Sequence, residues 1–223
     1  MEWTPIWLSL KLAACTTLIL FVIGIPLAYW LSRRHSLGKV VIEAILTMPL
    51  VLPPSVLGFY LLLTFSPNSI LGSWLHEYFN ISLVFSFEGL VVASVIYSLP
   101  FMVSPVKSAL AHLPVSLAEA SYTMGKSKLE TFYRVLMPNI KSSLWTATVL
   151  TFAHTLGEFG VVLMIGGKLA GVTKVASIAI YDAVDNNQYH EANQYSMVLF
   201  AITFVIVILV FIFNRNSVRG PLE

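Results

Sequence analysis

Long apolar stretches alternate with short polar segments along the whole chain. An α-helix needs about 20 apolar residues to cross the hydrocarbon layer of a bilayer, and five stretches are long enough: residues 12–32, 44–66, 83–106, 142–167 and 192–214. A sixth apolar patch, residues 175–181, is too short to cross and is predicted to be re-entrant or interfacial. The pattern therefore predicts an all-α integral membrane protein in which residues 1–223 form one domain with five transmembrane helices.

The composition agrees with this pattern. Of the 223 residues, 57% are hydrophobic and 11% are charged, and the mean hydropathy is +0.81, whereas a soluble domain carries about 25% charged residues. The first apolar stretch is longer than the hydrophobic region of a signal peptide and is followed by basic residues, so it is expected to be a retained span. The single cysteine, Cys15, has no partner in the chain, which excludes intramolecular disulfides and cysteine-based metal sites.

The basic residues between the apolar stretches are distributed unevenly. If every stretch crosses the membrane once, ten of the 13 Lys and Arg residues fall on one side. Cytoplasmic loops are enriched in Lys and Arg, so this side is predicted to be the cytoplasm, with the N-terminus outside and the C-terminus inside. The other side has only Lys11, Lys168 and Lys174, while the cytoplasmic ten are Arg33, Arg34, Lys39, Lys107, Lys126, Lys128, Arg134, Lys141, Arg215 and Arg219.

The polar segment 107–141, between the third and fourth stretches, carries the signals of two short helices. The pairs Ser116–Glu119 and Ser127–Glu130 have the spacing of a capping box, in which Ser and Glu side chains satisfy free amides at a helix start. Gly125 is expected to end the first helix in a left-handed conformation. Pro138 is expected to end the second, because proline cannot continue a helix without losing a hydrogen bond. From periodicity alone, this hairpin could either lie on the lipid headgroups or dock onto another protein.

The same segment resembles the "EAA" signature of the permease subunits of bacterial ABC importers. The match consists of "EAS" at residues 119–121, Gly125, and "VLMP" at residues 135–138, with serine, valine and methionine replacing the family's second alanine, isoleucine and leucine. The resemblance implies that the segment is a coupling helix that docks into a cleft of the cytoplasmic ATPase subunit. The residues expected to carry this coupling are Leu117, Glu119, Ala120, Ser121, Gly125, Val135 and Pro138.

Three further stretches resemble the molybdate permeases of that family. They are "MPLVLPPSVLGFYLL" (48–62), "HTLGEFG" (154–160) and "AGVTKVASIAIYDAV" (170–184), and with the polar segment they cover nearly the whole chain. The resemblance implies an importer of an oxyanion, molybdate or the nearly isosteric tungstate. Sulfate and thiosulfate permeases of the same group are the alternative, although their equivalent of "LGEFG" usually has Tyr in place of Phe159.

The second and fourth apolar stretches contain candidate pathway or gate residues. Three prolines within residues 48–55 each remove a backbone donor and free carbonyl groups that protein or water must satisfy; a tolerated kink is the other interpretation. Glu158 is the only acid of the fourth stretch, and an ionisable residue inside a span indicates function. Because a carboxylate repels an anion, Glu158 is expected to be protonated, or bonded to polar groups near the outer end of its span, and not to hold the substrate. The candidates are Pro49, Pro53, Pro54, Ser55, Gly157, Glu158, Phe159 and Gly160.

Catalytic and metal-binding motifs are not recognisable in the sequence. It has no P-loop and no metal-ligand cluster, so the chain is not expected to be an enzyme or to hold a cofactor. The resemblance implies a bacterial or archaeal inner-membrane protein, embedded in the lipid bilayer, that works with two ATPase subunits, which bind ATP and Mg, and with an external oxyanion-binding protein, but with no nucleic acid. Because no internal repeat supplies a second coupling segment, the missing half is expected to come from another chain. A second copy of this chain is the simplest solution, and a different permease chain is the alternative. An ATP-independent secondary transporter or channel, and then a structural scaffold, are the alternatives of another class.

Overall fold

The computed structural model describes residues 1–33 and 36–218, with side chains described up to residue 212. Arg34 and Arg219, which the orientation argument uses, lie outside the described residues, as does the side chain of Arg215. In the described part of the chain all regular structure is helical, which confirms the all-α fold class. The helices are α1 (Thr4–Ser32), α2 (Leu37–Val51), α3 (Pro54–Phe65), α4 (Ile70–Phe79), α5 (Phe87–Ala111), α6 (Val115–Thr123), α7 (Lys128–Thr131), a π-helical segment (Phe132–Leu136), α8 (Met137–Asn139), α9 (Lys141–Leu156), α10 (Gly160–Gly166), α11 (Ala176–Asp185) and α12 (Tyr189–Val218).

Three of the described helices are long and apolar enough to cross a membrane without interruption. They are α1, α5 and the part Tyr189–Ile212 of α12. Two helix pairs meet the same criterion only when taken together, and both pairs are bent: α2 and α3 meet at 115°, and α9 and α10 meet at 56°. The described residues therefore contain three continuous candidate spans, or five when each bent pair counts as one. The stretches 44–66 and 142–167 are not simple helices, because each of them contains a break.

Proline explains the first break. Leu52 ends α2 with an extended backbone (φ −70°, ψ 139°), because a residue that precedes proline is disfavoured in the helical region. Pro54 is the first residue of α3, a position where the missing N–H would have been unpaired anyway. Pro49, in contrast, lies inside α2. The second break follows Gly157, which ends α9, and lasts until α10 begins at residue 160.

Two helices extend beyond the boundaries that the charges suggested. The first helix begins at Thr4, not at residue 12, so Lys11 lies inside α1, with its ammonium 4.4 Å from the centre of the Phe87 ring. Similarly, α5 continues to Ala111, so Lys107 lies in this helix and forms an ion pair with Glu43 of α2. A long lysine side chain can place its charge away from the apolar helix that carries it. A lysine therefore marks the end of a span less exactly than the sequence pattern assumes.

Helices α1 and α5 pack side by side in the same direction through the middle of the bundle. Gly24 on α1 permits this close approach, since a Cβ atom at this position would lie 3.0 Å from Cγ of Met102 on α5. One buried apolar cluster joins the second halves of α1 and α5 to the π-helical segment and α9. Another joins their first halves to α3, α10 and α11. Each end of the bundle thus has its own core, and the polar loop after α5 is attached to the first of them.

The short apolar patch at residues 175–181 belongs to helix α11. This helix has ten residues and is about 15 Å long, which is half the thickness of the hydrocarbon layer. Ser9 of α1 accepts a hydrogen bond from the Ala176 N–H at 2.8 Å. Ala176 and Ala179 also form a small buried cluster with Ile6 of α1 and Tyr195 of α12. Helix α11 therefore lies against the beginnings of α1 and α12, at the end of the bundle opposite the polar loop.

Candidate functional site

The polar loop between α5 and α9, residues 112–140 and here called the α5–α9 loop, contains the predicted glycine turn. Helix α6 ends at Thr123, Met124 is its C-cap, and Gly125 has a left-handed backbone with φ +79°. The Gly125 N–H donates to the Tyr122 carbonyl at 2.9 Å, and the Lys126 N–H donates to the Ser121 carbonyl at 3.1 Å. These two bonds are the Schellman arrangement, which favours glycine at this position. The prediction that Gly125 ends the first helix in a left-handed conformation is confirmed.

The two predicted capping boxes have different outcomes. Ser127 caps α7, because its Oγ accepts a hydrogen bond from the Glu130 N–H at 3.2 Å. Ser116 caps no helix, and this prediction is wrong: α6 begins directly after Pro114 and has no side-chain cap. Pro114 has an extended backbone, with φ −57° and ψ 133°, and the helical conformation begins at the next residue, Val115. Ser116 consequently lies inside the first turn of α6.

Pro138 does not end its helix, contrary to the prediction. The preceding residues form a π-helical turn, in which the Met137 N–H bonds to the Phe132 carbonyl. Pro138 then sits in the first turn of α8, where a proline lacks only a donor that the helix would not have paired. The chain can therefore continue in nearly helical form towards α9. Short π-helical turns are frequent at functional sites.

Buried contacts hold the α5–α9 loop together and fix it to the bundle. The hydroxyl oxygens of Ser121 and Thr131 lie 2.9 Å apart, and both residues are buried. This bond joins α6 to α7 across the glycine turn. Phe132, Leu136 and Ile140 belong to the buried cluster that also contains residues of α1 and α5. The loop is therefore packed onto the membrane-spanning helices.

The seven predicted coupling residues differ in exposure. Ser121 is buried and bonded to Thr131, so it supports the loop from inside and presents nothing to a partner. The other six lie in or beside α6, the π-helical segment and α8. Leu117 and Val135 are half-buried, and the exposed members are Glu119, Ala120, Gly125 and Pro138.

The surface of the loop also carries large apolar side chains that sequence inspection did not select as a group. An exposed apolar patch with a polar rim indicates an interaction site. Here the rim includes Glu130, which is paired with Lys126 at 2.8 Å and with Arg134 at 3.1 Å. The hydrogen bond from Lys126 lowers the pKa of Glu130. The exposed fractions are 72% for Val115, 78% for Met124, 71% for Leu129 and 60% for Tyr133.

The two helix breaks lie against each other. A Cβ atom on Gly160, at the start of α10, would lie 2.8 Å from Cβ of Pro54 and 3.3 Å from the backbone nitrogen of Ser55, at the start of α3. One turn further along α3, a Cβ atom on Gly58 would lie 2.8 Å from Cβ of Met164. Glycine at these two positions allows α3 and α10 to approach each other closely. The structure thus brings candidates from both broken stretches to one place.

Around this place the surface of α2 and α3 is exposed. Pro53, Pro54 and Ser55 are exposed, whereas Pro49 is buried. Val51 is 82% exposed and Tyr60 is 61% exposed. This face therefore contains both a backbone break and large uncovered apolar side chains.

Glu158 lies in the second break and is buried. Only 4% of the residue is exposed, and neither carboxyl oxygen has a hydrogen-bond partner among the described residues. Ser94 and Tyr97 of α5 are polar side chains near this carboxyl. The Glu158 carbonyl accepts a hydrogen bond from Ser177 of α11 at 2.6 Å. The break is therefore fixed through its backbone. Of the two expectations for the carboxyl, hydrogen bonding to polar groups is not met among the described residues, and protonation stays a prediction.

His154, one turn before the break, is a packing residue. Its Nδ1 lies 3.0 Å from the Ser98 hydroxyl, which lies 2.9 Å from the hydroxyl of Thr155. The ring stacks on Phe101 with a centroid distance of 3.9 Å and lies 4.9 Å from the centroid of Tyr97. These contacts join α9 to α5 just before the break.

A group of ion pairs at the end opposite the α5–α9 loop was not found from the sequence, because its members are far apart along the chain. Lys168 is 3.0 Å from Asp182 and 3.4 Å from Asp185, and Lys174 also pairs with Asp182. Hydrogen bonds from Lys174 and Lys168 lower the pKa of Asp182. The Lys168 ammonium lies 4.8 Å from the Tyr181 ring centroid. These pairs fix α11 to the segment that follows α10.

Comparison with known proteins agrees with this architecture. Residues 21–220 match the family described as "Binding-protein-dependent transport system inner membrane component". The chain is 44% identical over 197 residues to the molybdenum transport system permease protein ModB of Azotobacter vinelandii, with 87% of each chain covered. It is 31% identical to the sulfate transport system permease protein CysT of Escherichia coli, with 89% of this chain and 70% of that protein covered.

A solved structure confirms the fold. A bacterial ABC transporter involved in the import of alginate contains a chain with a TM-score of 0.78, 16% identity, and coverage of 96% of this chain and 78% of that one. The overall fold of this chain is thus one that is known from an ABC transporter. With a match over residues 21–220 and relatives of this identity, the chain belongs to the family of binding-protein-dependent transport system inner membrane components.

Proposed function

We propose that the chain is the membrane-spanning permease subunit of an ABC importer for molybdate or the nearly isosteric tungstate. The observation that carries this proposal is the 44% identity, over 87% of both chains, to a permease named for molybdenum transport. The sulfate permease is the alternative, but it is less similar, at 31% identity, and is covered over only 70% of its length. The chain itself performs no chemistry in this proposal, and ATP and Mg bind to a partner.

The α5–α9 loop is the surface that docks onto an ATPase subunit. Its exposed apolar side chains, including Met124 and Leu129, supply the area that a protein partner would cover. Its buried side, through Phe132 and Leu136, is packed against the membrane-spanning helices. A loop with one face available and the other fixed can pass a displacement from the ATPase to the spans.

The translocation pathway lies beside the two helix breaks, between two copies of the chain. A backbone break that faces hydrocarbon would leave carbonyl groups unsatisfied, so it must be covered by protein or must line water. Pro53, Pro54 and Ser55 are exposed in the single chain, and a second copy related by a two-fold axis would cover them and enclose the pathway. Glu158 lies behind this surface, buried, and supports the break without contacting the anion.

The orientation follows from the distribution of charge. The α5–α9 loop, with its Lys and Arg residues, faces the cytoplasm, and the beginnings of α1 and α12 face outside. Helix α11 and its ion pairs, centred on Asp182, then lie at the outer end. This outer surface receives the binding protein that delivers the anion, and ATP-driven motion of the loops alternates the access of the pathway.

ATP hydrolysis by the reconstituted complex tests the substrate. The complex, containing permease, ATPase and binding protein, is placed in proteoliposomes, and hydrolysis is measured with binding protein loaded with molybdate, tungstate or sulfate. We expect stimulation by molybdate and tungstate and little by sulfate. Stimulation by sulfate alone would assign the chain to the sulfate permeases. Uptake without any need for ATP or an ATPase partner would instead indicate a secondary transporter or channel.

The mass of the intact purified complex tests the assembly. We expect two copies of this chain, two ATPase chains and one binding protein. A single permease copy, or two unlike permease chains, would contradict the two-fold pathway.

A further inference from the structure

The end of α1 touches both arms of the α5–α9 loop. The Arg33 Nη2 atom donates a hydrogen bond to the Tyr122 hydroxyl of α6 at 3.0 Å, across 89 positions of sequence. The Tyr29 ring, one turn earlier on α1, packs on Phe132 of the π-helical segment with a centroid distance of 4.5 Å. The Ser121–Thr131 bond already joins the two arms to each other. With these contacts, α1 is connected to both arms.

Arg33 is held in place by its own surroundings. Its guanidinium carbon lies 4.6 Å from the centre of the Tyr29 ring, a cation–π arrangement that fixes the plane of the group. The Lys39 ammonium donates hydrogen bonds to the carbonyls of Trp30 and Arg33, and so satisfies two carbonyl groups at the C-terminal end of α1. A guanidinium remains charged at all relevant pH values and offers several donors in a fixed plane. It is therefore suited to keep one hydroxyl in one position.

A cleft separates the beginning of α6 from α1. It has a volume of about 380 Å³ and its lining includes Ser32, Leu113, Val115 and Ala118. The first turn of α6 thus has open space on the side of α1, whereas its last turn is joined to α1 by Arg33 and Tyr122. A force on the exposed face of α6 could rotate this helix into the cleft unless its last turn is held.

We propose that Arg33 is a positioning residue for energy coupling: by holding Tyr122, it makes α1 move together with α6 when a docked ATPase displaces α6. Helix α1 transmits this motion because its second half is packed along α5, in a cluster that includes Ala28, Leu31 and Val106. Without the Arg33–Tyr122 bond, α6 would rotate into the cleft and the spans would not follow. This inference rests on the proposed function of the α5–α9 loop as an ATPase-docking surface.

The variants Arg33→Gln and Tyr122→Phe, and the double variant, test the inference in the reconstituted complex. We measure the anion imported per ATP hydrolysed, with molybdate-loaded binding protein. We expect this ratio to fall roughly tenfold or more in each single variant, the size given by loss of one hydrogen bond to a charged group, while the ATPase in the Arg33→Gln complex continues to hydrolyse ATP. Both variants break the Arg33–Tyr122 bond, and Tyr122→Phe also removes the interaction of this hydroxyl with Tyr29. The double variant should therefore be no worse than Tyr122→Phe alone.

Two control variants separate this effect from others. Tyr78→Phe makes the matching change on α4, where Tyr78 is 72% exposed, and should leave the ratio at the wild-type value. Arg134→Gln makes the matching change on the exposed side of the loop and, by weakening docking, should lower hydrolysis and transport together, so the ratio is kept. If the Arg33→Gln complex does not assemble, the ratio of anion imported to ATP hydrolysed is taken from Tyr122→Phe. This variant removes only one oxygen atom.

The possible results are distinct. A wild-type ratio in both single variants, or effects that add up in the double variant, would overturn the role of Arg33 while leaving the proposed function intact. If hydrolysis and transport fall together in Tyr122→Phe, the contact is only structural. If the wild-type complex shows no hydrolysis that depends on loaded binding protein, the proposed function fails and this inference fails with it.

Discussion

Replacement of Gly125 should weaken ATPase binding in an order set by backbone conformation alone. Gly125 has φ +79°, and no atom lies within 4 Å of the place where a Cβ would be. A substitution there therefore causes no clash, and its cost is the left-handed conformation, about 1–2 kcal/mol for an ordinary residue and more for a β-branched one. Asparagine, which visits this region more easily, should cost less.

This strain can be converted into an affinity. The strain lowers the fraction of molecules in which α6 and α7 have the docking arrangement. The apparent ATPase affinity falls in proportion to this fraction. About 1–2 kcal/mol corresponds to a loss of roughly five- to thirtyfold for Gly125→Ala. Gly125→Asn should lose less, and Gly125→Val should lose most and abolish transport. The affinity is measured by titrating labelled ATPase onto the permease in nanodiscs.

Gly171 offers a matched control for this series. It has φ +76° and, like Gly125, open space where a Cβ would be, but it lies at the opposite end of the bundle. Gly171→Ala should thus introduce the same strain without changing the ATPase affinity. An affinity for Gly125→Val within about twofold of the wild type, or an order that does not follow Gly, Asn, Ala, Val, would refute the reasoning.

Three further predictions concern the break, the buried acid and the orientation. Gly160→Val should lower transport strongly, because its Cβ would lie 2.8 Å from Cβ of Pro54 and overpacking of this kind costs about 1–3 kcal/mol; uptake into proteoliposomes measures it. Glu158→Gln, which keeps the shape and the hydrogen-bonding capacity of the side chain, should transport better than Glu158→Ala in the same assay. A cysteine introduced by Lys126→Cys, in a Cys15→Ser background, should react with membrane-impermeant reagent only from the cytoplasmic side.

Each of these has a result that would contradict it. Normal uptake by Gly160→Val would mean that α3 and α10 separate in the working complex, with Gly38→Ala, at an open position of α2, as the control that should behave as wild type. Equal inactivity of Gln and Ala at position 158 would require a charged role for this carboxyl. Labelling of position 126 from outside would reverse the whole orientation.

Local signals in the sequence were sufficient for the features that depend on neighbouring residues. Hydrophobic length predicts which stretches are membrane-spanning, and the structure has a helix or a bent pair of helices in each. Gly125 and Ser127 were assigned correctly because a left-handed cap and an N-cap involve bonds only a few residues long. Ser116 and Pro138 were assigned wrongly because the same local patterns fit a second structure. Helix α6 begins at Val115, directly after Pro114, and the π-helical turn before Pro138 allows the chain to remain helical at this proline.

Contacts between distant parts of the chain were decided only by tertiary packing. Nothing in the pattern of either stretch indicates that Gly160 lies against Pro54, or that Arg33 reaches Tyr122 across 89 positions. Glu158 is also surrounded in a way that its neighbours in sequence do not determine, since its backbone partner Ser177 comes from α11. Which surfaces meet depends on the shapes of all the helices together, because side chains pack with little free space and a small shift changes every partner. The sequence therefore predicts the helical stretches and some of their ends, whereas the meeting of the two breaks and the link from α1 to the α5–α9 loop exist only in the folded bundle.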